Sequence, residues 1–148
     1  MKKPPFATLN TATLRTEDVI RQIDIAAVTG FDGVGLWISD IETYLASGGT
    51  VEAICKASRD AGVPVTEICF VPLFGASPRT TDRGTADRTV EMTAELECPL
   101  LVGVPAQNGT DMVDLDPETL SRISSFAEER SVSIALEYTC TAKVVNTP

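Results

Sequence analysis

A chain of 148 residues with 43% apolar side chains is long enough to bury a core, and its formal charge of −9, with cations scattered along it, argues against a nucleic-acid backbone as partner. It contains no histidine, which removes Ser-His-Asp and Cys-His catalysis, HExxH metal sites and imidazole pH switches together. No window approaches the roughly 18 continuous apolar residues of a membrane span, and Lys2 and Lys3 lead into Pro4 and Pro5 rather than into an apolar signal core, so a cytoplasmic protein without membrane partners is expected.

The cysteines Cys55, Cys69, Cys98 and Cys140 lie far apart and form no CxxC pair, which fits reduced thiols acting as small core residues. The acidic balance favours solubility, with a weak bias toward cations.

Along the chain, Phe6 to Leu9 reads as a first strand. Thr16 is placed to cap a helix with Glu17 and Asp18 in its first turn, where the helix dipole favours acids. Val19, Ile20, Ile23, Ala26 and Ala27 then recur at helical spacing, and Gly30 stops the helix as a residue free to turn left-handed. Val34 to Trp37 is the second strand, and Asp40 to Leu45 a short extra helix closed by Gly48 and Gly49.

Thr50 caps a further helix whose apolar face carries Val51, Ile54, Cys55 and Ala61, with Gly62 as its stop. Pro64 to Phe70 is the third strand, proline being acceptable at its first residue. A polar loop over about residues 75 to 85 precedes a helix running to about Glu97; Leu100 to Val104 is then the fourth strand. Asp116 and Pro117 open the last helix, which turns Leu120, Ile123, Phe126 and Ala127 inward, and Ser133 to Glu137 is the fifth strand.

Strands starting roughly 30 residues apart with a helix in each gap define βαβ units and a parallel sheet, α/β in class, in a single domain over residues 1–148. Two architectures share this rhythm. A complete (β/α)8 barrel needs about 250 residues, so the chain supplies about five strands of eight. An open five-stranded doubly wound parallel sheet fits the length better. Yet the loop after the first strand, Asn10 to Thr13, lacks the glycine pattern that cradles phosphate.

Four passages bear a resemblance in register and in order. Ala26-Ala-Val-Thr-Gly-Phe-Asp-Gly-Val-Gly-Leu-Trp37 resembles the first helix-to-second-strand passage of the xylose isomerase-like TIM barrel family, the sugar and sugar-phosphate isomerases and epimerases. Ala61-Gly-Val-Pro-Val-Thr-Glu-Ile-Cys69 is similar to its second helix-to-third-strand passage; Cys98-Pro-Leu-Leu-Val102 and Ile134-Ala-Leu-Glu137 resemble its fourth and fifth strands. The resemblance implies a partial barrel of about the first five strands, truncated after Pro148.

It also implies a divalent metal (Mn, Mg or Zn) held by carboxylates and a histidine from strands five to eight, the first ligand mapping onto Glu137. Glu137 is therefore the expected catalytic and metal residue, with metal-assisted proton transfer on a sugar as the reaction. The remaining ligands are expected beyond the chain, which puts its own activity in question.

Substrate contacts are expected from Asn10 after strand one, Trp37 ending strand two, Phe70 ending strand three, and Gln107 with Asn108 after strand four. Each has a plainer reading as a turn or core residue. Glu67, inside strand three, is either a supporting group within a barrel or an outward surface acid. Arg79, Arg83 and Arg88 could meet a phosphate or form an ion-paired face with Asp82 and Asp87. The competing reading is a non-catalytic α/β domain acting through partner binding or self-association, since a partial barrel leaves two open edges and a homo-oligomer through them is expected.

Overall fold

The computed structural model describes residues 6–74, 83–105, 107–108, 111–112 and 117–137. The described chain forms two compact units. The first runs from β1 (Thr8–Asn10) through α1 (Val19–Val28), β2 (Gly33–Trp37), α2 (Ile38–Ala46) and α3 (Val51–Ala61) into the first half of β3 (Val65–Phe74), and includes Glu95 to Cys98. The second takes the rest of β3, most of α4 (Arg83–Glu95), β4 (Leu100–Pro105), β5 (Gln107–Asn108), β6 (Asp111–Met112), α5 (Pro117–Glu128) and β7 (Ser133–Leu136).

In the first unit β1–β2 and β2–β3 are parallel pairs, and α1 packs on α3. Val34, Leu36 and Ile68 are fully buried, as are Val19, Ile23 and Ala26 of α1 and Ile54 of α3. The cap of α1 is Asp18, not Thr16: its carboxylate accepts from the Arg21 amide at 3.0 Å, while a short 3-10 turn over Thr11–Leu14 occupies the chain ahead of it. That turn was not legible as an element. The extra helix is longer than Asp40 to Leu45 because it starts directly from β2, with Trp37 at its N-cap. Thr50 caps α3 as expected, accepting from the Ala53 amide at 3.2 Å, and Gly62 ends it at φ +68°, a conformation that would strain any side chain.

Strand β3 does not stop at Phe70 but continues to Phe74. Val71, Leu73 and Phe74 favour extended backbone, and the fixed φ of Pro72 is compatible with a strand. Its register with β2 slips: Val34 opposes Val65 whereas Gly35 opposes Glu67, so Thr66 is an extra residue in a bulge.

In the second unit β4 and β7 are parallel from Leu100 opposite Ser133 to Gly103 opposite Leu136, with α5 packed on β7. Ile123 and Ala127 of α5 are buried; Leu120 and Phe126 are half-buried. Helix α4 begins at Arg83, inside the stretch expected to be loop, and ends at Glu95; residues 75–82 of that loop lie outside the described residues. Gln107 and Asn108 form a two-residue antiparallel ladder with Met112 and Asp111, where a plain loop was expected.

The five parallel-type strands are hydrogen-bonded in the order β1-β2-β3-β4-β7, which is their order in the chain. A doubly wound sheet reverses its strand order at a switch point, and a barrel wall does not. The order therefore settles the two architectures in favour of successive barrel-type βα units.

Candidate functional site

The first unit gathers polar side chains at the carboxyl ends of its strands. Asn10, the last residue of β1, leads into the 3-10 turn and its side-chain oxygen caps it, accepting from the Ala12 amide at 3.0 Å. The same oxygen accepts from the indole Nε1 of Trp37, the last residue of β2, at 3.0 Å. Because both partners are pure donors, the amide orientation of Asn10 is determined. Its Nδ2 then faces β3, donating to Glu67 Oε1 at 3.4 Å and to the Cys69 sulfur at 3.5 Å.

Two glycines of β2 make room for this arrangement. A Cβ at Gly35 would lie 2.5 Å from Glu67 Oε1 and 2.7 Å from its Cγ, so the carboxylate arm lies across the glycine. A Cβ at Gly33 would lie 2.5 Å from the Thr66 methyl. The bulge thus sets Thr66 and Glu67 on the glycine-bearing side of β2, opposite the buried Val34 and Leu36. Thr66 completes its bonding with the Val34 carbonyl at 3.2 Å and the Thr8 hydroxyl at 3.4 Å.

Trp37 is held from a second direction. The Arg15 guanidinium carbon sits 4.5 Å from the ring centroid, in cation–π range, while its Nη2 donates to Ser39 Oγ at 2.8 Å and pairs with Asp40 at 3.5 Å. Asp40 in turn accepts from Gln22 Nε2 at 3.1 Å, and that nitrogen also faces the carbonyls of Leu14 and Glu17. Gln22 is fully buried, and its Oε1 has no partner among the described residues. The loop after β1 is thereby tied to α2. Sequence reasoning missed Gln22, Arg15 and the role of the glycines; the signals were a polar residue on an apolar helix face, and Gly-x-Gly within a strand, which marks close approach.

In the second unit Glu137 follows β7 immediately, its amide donating to the Gly103 carbonyl at 2.9 Å so that the ladder runs through it, and its side chain is half-buried. Phe70 lies inside β3 rather than at its end, and Gln107 lies in β5. Asp87 pairs with Arg122 of α5 at 2.8 Å, an ion-paired helix face, while Arg79 and Asp82 lie outside the described residues. Cys55, Cys69 and Cys98 are buried thiols; burial pushes the Cys55 thiol up from its ordinary value, which makes it a poor thiolate.

Among the described residues no group of three or more histidine, cysteine, aspartate or glutamate side chains is placed to hold a metal ion. No helix among them is long and apolar enough to cross a membrane.

No family model matches the sequence, and no curated protein matches it. Solved structures do. The chain is similar to a xylose isomerase-like TIM barrel/4-hydroxyphenylpyruvate dioxygenase fusion protein, with TM-score 0.75 and 20% identity over 94% of this chain and 22% of that one. It is similar to the IolI protein with a bound zinc atom, with TM-score 0.74 and 16% identity over 91% of this chain and 53% of that one. It is similar to D-psicose 3-epimerase solved in the presence of D-fructose, with TM-score 0.69 and 18% identity over 95% of this chain and 55% of that one. The fold is that of xylose isomerase-like TIM barrel proteins, and the chain spans about half the length of the latter two.

Proposed function

We propose that the chain handles a small polyhydroxylated carbonyl compound, a sugar or sugar phosphate, in the manner of the isomerase and epimerase barrels whose fold it carries. The observation that carries this reading is the assembly of Asn10 and Trp37, at the carboxyl ends of β1 and β2, with Glu67 of β3 beside them in a barrel-type fold. Further support comes from the likeness to D-psicose 3-epimerase. In the first unit substrate contact is assigned to Trp37 and its neighbours, with Asn10 orienting them; Phe70 and Gln107 keep the substrate-contact role proposed for the second unit by itself.

The catalytic role is assigned to Glu137, as the group that holds the proton removed next to the substrate carbonyl. A divalent metal is the family-like cofactor, and IolI carries zinc. The donors described here do not fit a metal site: Glu137 offers one hard oxygen ligand, the sequence has no histidine, and a divalent cation needs several donors. No step is therefore routed through a metal.

The test is incubation with D-fructose in deuterated buffer, with deuterium at the carbon next to the carbonyl read by NMR, for the wild type and Glu137→Gln. Exchange that is lost in the variant is the expected result. Neither exchange nor binding with any sugar of a broad panel would overturn the proposal and favour a non-catalytic domain.

A further inference from the structure

We infer that Glu67 is the ligand-contacting group of the strand-end assembly, and that Asn10 and Gly35 are positioning residues that present its carboxylate to the hydroxyl groups of the ligand. This rests on the sugar-handling reading and moves its central contact from an amide to a carboxylate.

The valence of Asn10 is already filled. Its oxygen accepts two hydrogen bonds, from Ala12 and Trp37, and its nitrogen faces two acceptors, Glu67 and Cys69. An amide has two acceptor sites and two donor hydrogens, so nothing is left over for a ligand. Glu67 is the opposite case. Its half-buried carboxylate has about four lone-pair positions, and among the described residues its one hydrogen bond is the long 3.4 Å contact from Asn10. Oε2 meets no donor, and Glu67 forms no ion pair among those residues. The contact lies at the solvent-exposed side, so the remaining lone pairs are open to the hydroxyl groups of a ligand in exchange for water.

Its placement is built by the backbone. The bulge at Thr66 turns Glu67 onto the glycine side of the sheet, and the missing side chain of Gly35 lets the arm lie flat, within reach of the Asn10 amide. An arm destined only for solvent has no need of that glycine. An acceptor-only group in this position selects ligands by their O–H donors, and a pair of adjacent hydroxyls can engage both oxygens of one carboxylate. The chemical class is a neutral polyol or sugar.

Trp37 is the only tryptophan in the chain and is bonded to Asn10, so its emission reports on the assembly without a label. D-fructose and D-psicose are titrated into the wild type, Glu67→Gln and Gly35→Ala, with the emission of Trp37 as readout. The first variant removes the charge and keeps the shape; the second keeps the carboxylate and displaces it. Binding weakened by about tenfold or more in both variants is expected, since hydrogen bonds to a charged group are the strong ones. Wild-type affinity in both would overturn the assignment of Glu67 and leave the sugar reading intact. A wild type that binds neither sugar would overturn both.

Discussion

Gly35→Ala tests the geometry of the first unit directly. The new methyl would stand 2.5 Å from Glu67 Oε1, 2.7 Å from Cγ and 3.0 Å from Cδ, where ordinary carbon contacts begin near 3.5 Å. Three consecutive atoms of the arm are too close, so rotating the carboxylate alone does not relieve the overlap. The whole side chain must leave its rotamer and give up the Asn10 bond. Overpacking of this kind costs about 1–3 kcal/mol. Replacing glycine in an extended strand returns about 0.4–1 kcal/mol through the unfolded chain. The net expectation is a loss of about 1–2 kcal/mol.

Glu67→Ala removes the obstruction, so in that background Gly35→Ala should be neutral or slightly stabilising. The coupling between the two positions is then about 2 kcal/mol. The assay is a double-mutant cycle by urea unfolding, followed through Trp37 emission, with the slope checked for constancy. An equal cost of Gly35→Ala in both backgrounds would refute the claim that this glycine exists to seat Glu67.

Two further outcomes are expected. Gln22→Glu places a carboxylate in a fully buried position beside Asp40 and two carbonyl oxygens, so at neutral pH it should cost about 3 kcal/mol or more. Burial and these acceptors raise the folded-state pKa of the new acid above its unfolded value, so the deficit should shrink as pH falls; a deficit independent of pH in urea melts at pH 5 and pH 8 would contradict this. Cys55 should react with a thiol reagent far more slowly in the native protein than in urea at pH 8, because burial raises its pKa. Since the folded state holds that proton more tightly, stability should also decline as pH rises past the ordinary thiol value, and equal native and unfolded labelling rates would show the site is open.

Local signals made much of the fold legible. Thr50 and Gly62 bracket α3 because a hydroxyl cap and a left-handed glycine act over a few residues, and the same short range made Gly30 readable as the stop of α1. Asp18 is the cap in place of Thr16 because the 3-10 turn over Thr11–Leu14 lies directly ahead and the helix starts only at Val19, and that turn depends on Asn10 being oriented by Trp37, 27 positions away. Gln107 was read as loop because a ladder of only two residues, Gln107 and Asn108 opposite Met112 and Asp111, leaves no alternation long enough to read.

By itself the sequence determined the βα rhythm, the apolar faces of the helices and the acids and amides at strand ends, since all three follow from periodicity and composition within a few residues. Tertiary structure alone decided which of those groups meet. The sequential strand order separates a barrel wall from a doubly wound sheet, and strand order is set by packing of whole units rather than by any local preference. The bulge at Thr66 and the absent side chain at Gly35 turn Glu67 toward Asn10. A one-residue slip in register reverses the face of every side chain after it, and no local pattern in either strand records that slip.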